Sequence, residues 1–180
     1  MSARRSAALV AIAALVLGAS GASADDEPAP QRRRGPYLAI VFGGGLLDAG
    51  ALYGPNDVAA LGNGSIGTFE GVLRGGYRTS IGVAPIVEGR GALIFGTLSG
   101  NLAAGFSALG GVQYGPWPDA IRSPYLNLRA GVRSDAGYAH KTVAIGLGIE
   151  LGRGQPFTMV ELNVEPIVPW LVTLRVGAVF

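Results

Sequence analysis

The sequence contains no cysteine, so no disulfide holds the fold and no lipidated cysteine can begin a mature lipoprotein. It has one histidine, His140, and its aspartates are scattered through separate segments, which gives no metal-ligand spacing. Charged residues are only 14% of the chain, too few for an extended solvated surface. An uninterrupted transmembrane helix is also missing. The longest charge-free run, residues 91–118, contains Gly96-Thr-Leu-Ser-Gly100 but is broken by Asn101 and by glycines at 91, 96, 100, 105, 110, 111 and 115. Alternation fits that run better than a helix. Leu102, Ala104, Phe106, Ala108, Val112 and Tyr114 share one parity, while Asn101, Ser107 and Gln113 share the other. Cofactor signatures are lacking too, because Gly43-Gly-Gly45 and Gly110-Gly111 have neither the strand–loop–helix context nor the lysine of a phosphate loop.

The chain opens with Arg4 and Arg5, an apolar stretch over residues 7–17, and Ala22-Ser23-Ala24. A basic start, a core too short to span a bilayer and a small-residue site describe a signal peptide over 1–24, so the protein is expected to be exported. Cleavage would leave twelve basic and twelve acidic residues, and the pI of 9.2 then says nothing in favour of nucleic acid. Residues 25–36 (DDEPAPQRRRGP) are polar and without period, and read as a flexible periplasmic tail. The remaining 37–180 suits one domain. It is apolar enough for a membrane, yet with thirty glycines in the chain it is poorly suited to helices.

Eight strands are expected, over 37–45, 68–78, 81–95, 98–114, 125–133, 142–152, 157–166 and 170–180. Their polar faces carry nearly all the charge. Glu70, Arg74 and Arg78 oppose Phe69, Leu73 and Tyr77; Glu88 and Arg90 oppose Val83 and Val87; Asn127, Arg129 and Arg133 oppose Leu126, Leu128 and Val132. Glu150 opposes Ile145, Leu147 and Ile149, and Glu161, Asn163 and Glu165 oppose Val160, Leu162 and Val164. Aspartates are expected only in the tail and the connections. One arginine on a lipid face near midplane costs about 2–4 kcal/mol, so strand arginines facing outward would outweigh an ordinary net stability of ~5–15 kcal/mol. They are therefore expected to face inward. There Glu70, Arg74, Arg78, Glu88, Arg90, Arg129, Arg133, Glu150, Glu161, Glu165 and Arg175 would form a structural ion-pair network filling a narrow lumen.

Aromatic residues suggest two girdles: Tyr37, Tyr77, Tyr114, Tyr125, Phe157 and Phe180 near one set of strand ends, Phe69, Phe95 and Trp170 near the other. Pro85 and Pro166 fall within predicted strands and imply bulges or strand ends.

The last segment has the clearest pattern. Trp170, Val172, Leu174, Val176, Ala178 and Phe180 lie on one face and Leu171, Thr173, Arg175, Gly177 and Val179 on the other. An alternating strand that ends on an aromatic residue resembles the closing strand of a bacterial outer-membrane β-barrel. Leu174 and Arg175 depart from that family's usual glycine and polar spacing. By architecture, 37–180 resembles the small eight-stranded barrels of the OmpA/OmpX type. The resemblance implies an all-β, eight-stranded antiparallel up-and-down transmembrane barrel in the outer membrane of Gram-negative bacteria, with Phe180 as insertion signal. It also implies outer-membrane lipids and the barrel-assembly machinery as partners, and longer outer loops.

For function, the expectation is a non-enzymatic structural or surface-interaction barrel. The long connection 46–67 would meet any envelope or surface partner, with no nucleic acid and no cofactor. Two alternatives remain, a lipid-modifying enzyme and a small transport barrel for apolar solutes, with a soluble exported β protein as the alternative fold. Barrels that deacylate lipid A use a His/Ser/Glu arrangement, but His140 and Glu150 are ten residues apart on one strand, about 33 Å at 3.3 Å per residue. They cannot touch, so no catalytic residue is assigned.

Overall fold

The computed structural model describes residues 34–48, 65–95, 102–116, 120–135, 138–152, 155–166 and 171–180. The expected signal peptide, nearly all of the expected tail and Trp170 lie outside these residues. The strands are β1 (Gly35–Asp48), β2 (Ser65–Arg78), β3 (Val83–Phe95), β4 (Leu102–Tyr114), β5 (Arg122–Asp135), β6 (Tyr138–Leu151), β7 (Phe157–Glu165) and β8 (Leu171–Val179). Each pairs antiparallel with the next, and β8 returns to β1, so the sheet is a closed eight-stranded barrel. Closure removes the free edges that a flat sheet of these apolar strands would expose.

Closure also fixes the tilt. Carrying the ladder registers once round the wall takes Tyr37 through Gly76, Ile86, Gly111, Arg129 and Ala144 to Leu171 and back to Leu47, ten residues along β1. Such a stagger requires strands inclined by about 35–45° to the barrel axis. It also leaves overhangs at strand ends where only one neighbour is present. Pro36 precedes Leu38, the first β1 residue bonded to the C-terminal Phe180, and Pro85 lies beyond Gly76↔Ile86, the last β2–β3 pair. Pro124 lies beyond Tyr114↔Leu126, the last β4–β5 pair. Each strand proline therefore keeps one ladder and sits where the other has ended, which a residue without an N–H tolerates. No bulge is needed at Pro85, and Pro166 follows the last residue of β7.

The run 91–118 forms the end of β3 and all of β4 in its described part, so the helical alternative is excluded there. Several strands outrun their expected limits. β1 starts at Gly35 rather than 37 and reaches Asp48, while β2 starts at Ser65, so the long connection is 49–64 instead of 46–67. It lies outside the described residues. The end where β1 begins and Phe180 finishes is the terminal end, and the opposite one is the distal end. At the terminal end, β2 and β3 meet in a tight turn. The Thr79 amide and hydroxyl both donate to the Val83 carbonyl, at 2.9 and 2.7 Å, and Gly82 has φ +80°, which a side chain would strain.

Candidate functional site

Parity of two puts opposite chemistries on the two sides of this wall. Outside, Leu38, Ile40, Phe42, Leu73, Val87, Phe106, Leu128, Ile145, Leu174 and Val176 are exposed on seven of the eight strands, and Val160, Leu162 and Val164 of β7 are half-buried. Inside, six arginines, five glutamates and one aspartate are buried. In a soluble sandwich the apolar residues would be inside.

The aromatic girdles need correcting. Tyr77, Tyr114 and Phe180 at the terminal end, and Phe69 and Phe95 at the distal end, are exposed on the wall. Tyr37, Tyr125 and Phe157 instead turn into the lumen and are buried. With Val41, Ile86, Met159 and Val179 they form an apolar plug across its terminal half. Two tyrosines fit because their cross-strand partners are glycines. A Cβ on Gly76 would come within 2.7 Å of the Tyr37 ring, and one on Gly148 within 2.5 Å of Tyr125. The glycine opposite Tyr125 lets its ring lie flat and carry the hydroxyl to Glu161 at 3.0 Å.

Above the plug, Glu161 is the hub. Arg74 forks onto it with two bonds of 2.8 Å, Arg175 donates at 3.0 Å, Arg129 at 3.3 Å and Asn127 at 2.8 Å. The same three arginines also bind Glu88: Arg74 at 2.9 Å, Arg175 at 3.3 Å, and Arg129 in a short contact. Arg129 further donates to Asn163 at 2.5 Å. The planar guanidinium, with five N–H donors in fixed directions, allows each arginine to fork onto one carboxylate and still donate to a second.

The network continues toward the distal end. Arg175 reaches Glu70 at 2.5 Å, Arg90 joins Glu70 at 3.1 Å to Glu165 at 2.5 Å, and Arg133 joins Glu165 at 2.9 Å to Asp135 at 2.5 Å. Ser107 accepts from Arg90 at 2.9 Å, and Thr142 donates to Glu165 at 3.1 Å. At the terminal mouth Arg78 binds Glu150 at 2.5 Å and lies over the Tyr37 ring, 4.3 Å from its centre. The structure thus brings all eleven charged residues expected in the lumen into ion pairs inside it. It adds Asp135, which sequence reading had placed in a connection. β5 runs two residues past Arg133, so Asp135 falls on the same inward parity. With it, buried acids and bases balance at six each.

His140 stands near the distal end of β6, its Nε2 3.7 Å from the Asp135 carboxylate, while Glu150 is at the other end of that strand. No serine or second acid is bonded to it among the described residues, and these contain no cluster of three metal-ligating side chains. Small hollows remain at each end of the lumen. One is bounded by Arg78, Gln113, Ser123 and Glu150, and one by Thr68, Ala92, Gly105 and Asp135. The second arises where two small inward residues, Ala92 and Gly105, pair directly across β3 and β4.

No family model and no curated protein matches the chain. Among solved structures it is similar to the N-terminal β-barrel domain of Pseudomonas aeruginosa OprF, at 14% identity and TM-score 0.46, over 82% of this chain and 98% of that one. It is also similar to Ail, the attachment invasion locus protein of Yersinia pestis, at 14% identity and TM-score 0.49, over 82% of this chain and 99% of that one. The chain's own registers establish the eight-stranded closed barrel.

Proposed function

We propose that this protein is a non-enzymatic outer-membrane barrel that seals its own lumen and acts through the surface at its distal end. The observation that carries the reading is the inverted polarity of the wall: a continuous apolar exterior around a lumen with balanced charge. An exposed apolar patch of more than a few hundred Å² is already unusual on a soluble monomer, and here the patch closes on itself. Hydrocarbon is the medium that such a surface fits. Every strand also has two ladder partners, the longest overhang being residues 138–144 of β6 beyond its last pair with β7, so most backbone groups of the wall are paired before they meet that medium.

The termini then face the periplasm, and the connection 49–64 faces outside, where it is the element available to an envelope or surface partner. The filled lumen argues against diffusion through the barrel. The membrane reading is tested by folding the mature chain into detergent and comparing unboiled with boiled samples on SDS gels. A mobility shift with β-rich circular dichroism is expected. A chain that is monodisperse without detergent and shows no shift would sink it.

Two experiments separate the alternatives. Planar-bilayer recordings and apolar-solute uptake into liposomes are expected to show nothing, and steady conductance or uptake would favour the transport reading. Replacing His140 with alanine is expected to leave cellular lipid A unchanged; an altered lipid A profile would favour the enzyme.

A further inference from the structure

Seven of the eight ladders join strands that follow one another in the chain, whereas the eighth joins β1 to β8, the first strand to the last. No hairpin holds that seam, so closing it costs the most chain entropy. The inward positions of β1 between Tyr37 and Leu47 are Tyr37, Ala39, Val41, Gly43, Gly45 and Leu47, and none is charged. β8 brings one charge, Arg175. The registers place it in a row of four opposed residues: Glu161 on β7, Arg175 on β8, Gly43 on β1 and Glu70 on β2. Arg175 thus meets Glu161 at 3.0 Å on its own side of the seam and crosses β1 to reach Glu70 at 2.5 Å. A third bond runs to Glu88 on β3 at 3.3 Å. Two strand spacings, about 10 Å, lie between the Arg175 and Glu70 backbones in that row. The side chain covers the distance by lying over Gly43. A Cβ on Gly43 would stand 2.9 Å from Arg175 Cγ and 2.8 Å from the Leu174 carbonyl, so the glycine is the slot that admits it.

We infer that Arg175 is a strap that fastens the closing seam, seated in the Gly43 slot and tied to acids on both sides of it. At the other ladders the chain itself keeps two strands together when their pairing frays. Here the guanidinium takes that part. Its donors point in fixed, separate directions, Nε to Glu70 and Nη1 to Glu88 and Glu161, so one side chain ties β8 to β2, β3 and β7 together. Fastening and charge balance are then one event. With β8 away, five of the six lumen arginines remain against six acids, and Glu70, Glu88 and Glu161 each lack a donor. Seating Arg175 completes all three at once. A seam held ajar would leave a desolvated surplus of negative charge behind it, which drives the wall toward the fully shut state.

The test uses the mature full chain folded into phosphatidylcholine vesicles, read by residue-resolved amide exchange and by heat modifiability. Arg175→Met is expected to speed exchange along the β1–β8 ladder by about tenfold or more, at Leu38 and Phe180 above all, while the β3–β4 ladder keeps its wild-type rates. Gly43→Ala leaves every charge in place but fills the slot, and is expected to loosen the same seam. Gly44→Ala, whose Cβ would meet only the Thr68 carbonyl at 3.6 Å, is expected to behave as wild type. Arg133→Met removes an equally buried cation from β5 and is expected to loosen the wall without singling out the seam. Where Arg175→Met folds too poorly for exchange, a disulfide from Ile40→Cys with Ala178→Cys, opposed across the seam, is expected to restore its heat-shifted band. One from Val87→Cys with Gly110→Cys, opposed on β3 and β4, is expected not to. Exchange raised evenly over the wall by Arg175→Met, a protected seam in Gly43→Ala, or equal rescue by both disulfides would overturn the strap and leave Arg175 as one more ion pair. Absence of the heat-shifted band in the wild type would instead count against the membrane barrel.

Discussion

The two halves of the lumen are filled by different physics. The terminal half is a plug of Tyr37, Val41, Ile86, Phe157 and Met159, held chiefly by contact area, in which a poor fit leaves a cavity and a graded loss. The central half is built on Glu161 and Glu88 with Arg74, Arg129 and Arg175, and there each group depends on several others for compensation. Desolvated ion pairs contribute little net stability over apolar packing, but breaking one from a single side leaves a buried charge. The central half should therefore respond to single substitutions far more steeply than the plug, and far less to paired ones.

The largest effect is expected at the hub. Glu161→Leu removes the carboxylate shared by three arginines, Tyr125 and Asn127, and leaves an excess of positive charge in a closed space. The expected loss is at least about 3–5 kcal/mol, read as a fall in the urea midpoint of unfolding in micelles. A loss near 1 kcal/mol would mean that water reaches this tier and that the lumen is not sealed.

Met159→Ala is the matching probe of the plug. Met159 is 1% exposed and packs among Tyr37, Phe157 and Val179. Truncating it is expected to cost about 2–3 kcal/mol, at the low end for such deletions because neighbouring side chains at a barrel mouth can partly refill the space. If its loss matched or exceeded that of Glu161→Leu, the contrast between the halves would fail.

Part of this contrast is legible in the sequence itself. Period-two parity was sufficient to put Arg74, Glu88, Arg129 and Glu161 inside, because charge and hydrocarbon are incompatible whatever the register. The partners were not legible. That Arg74 on β2 meets Glu161 on β7 depends on closure and on the ten-residue stagger, which couples strands far apart in sequence. The plug was misread for another reason: Tyr37, Tyr125 and Phe157 were placed by height, at strand ends where girdle aromatics belong. Parity already held the answer. Tyr125 is two residues before Asn127, and Phe157 is four before Glu161, so both share the inward face. Asp135 was missed because the end of β5 was set at Arg133, and strand ends are where pattern is weakest.

Tyr125 lies on the boundary between the halves, its ring in the plug and its hydroxyl on Glu161, so Tyr125→Phe isolates one polar bond while leaving packing intact. A hydrogen bond to a charged group contributes about 1.5–3 kcal/mol, and the lower value is expected because Glu161 keeps its arginines. The Tyr125→Phe change combined with Arg129→Met in a double-mutant cycle should be non-additive, since both groups donate to one carboxylate. Additivity would indicate that the hydroxyl belongs energetically to the plug.

The smallest effect is expected where both partners of one pair are replaced together. Arg78 and Glu150 are bonded at 2.5 Å at the terminal mouth, away from the Glu161 hub, and Arg78 covers the Tyr37 ring with its guanidinium. Arg78→Met combined with Glu150→Met replaces the pair with unbranched side chains of similar length and no charge. Removing both charges at once leaves neither carboxylate nor guanidinium uncompensated, so the double variant should lie within about 1 kcal/mol of wild type. Each single change should cost more, Glu150→Met above all, because Arg78 would then lose its carboxylate while still held near the tyrosine. The urea midpoints of the three variants decide the matter. A double variant worse than either single one would mean that charge at the mouth has a role that packing cannot replace, and the division into a tolerant apolar half and an exacting ionic half would have to be redrawn at Tyr37.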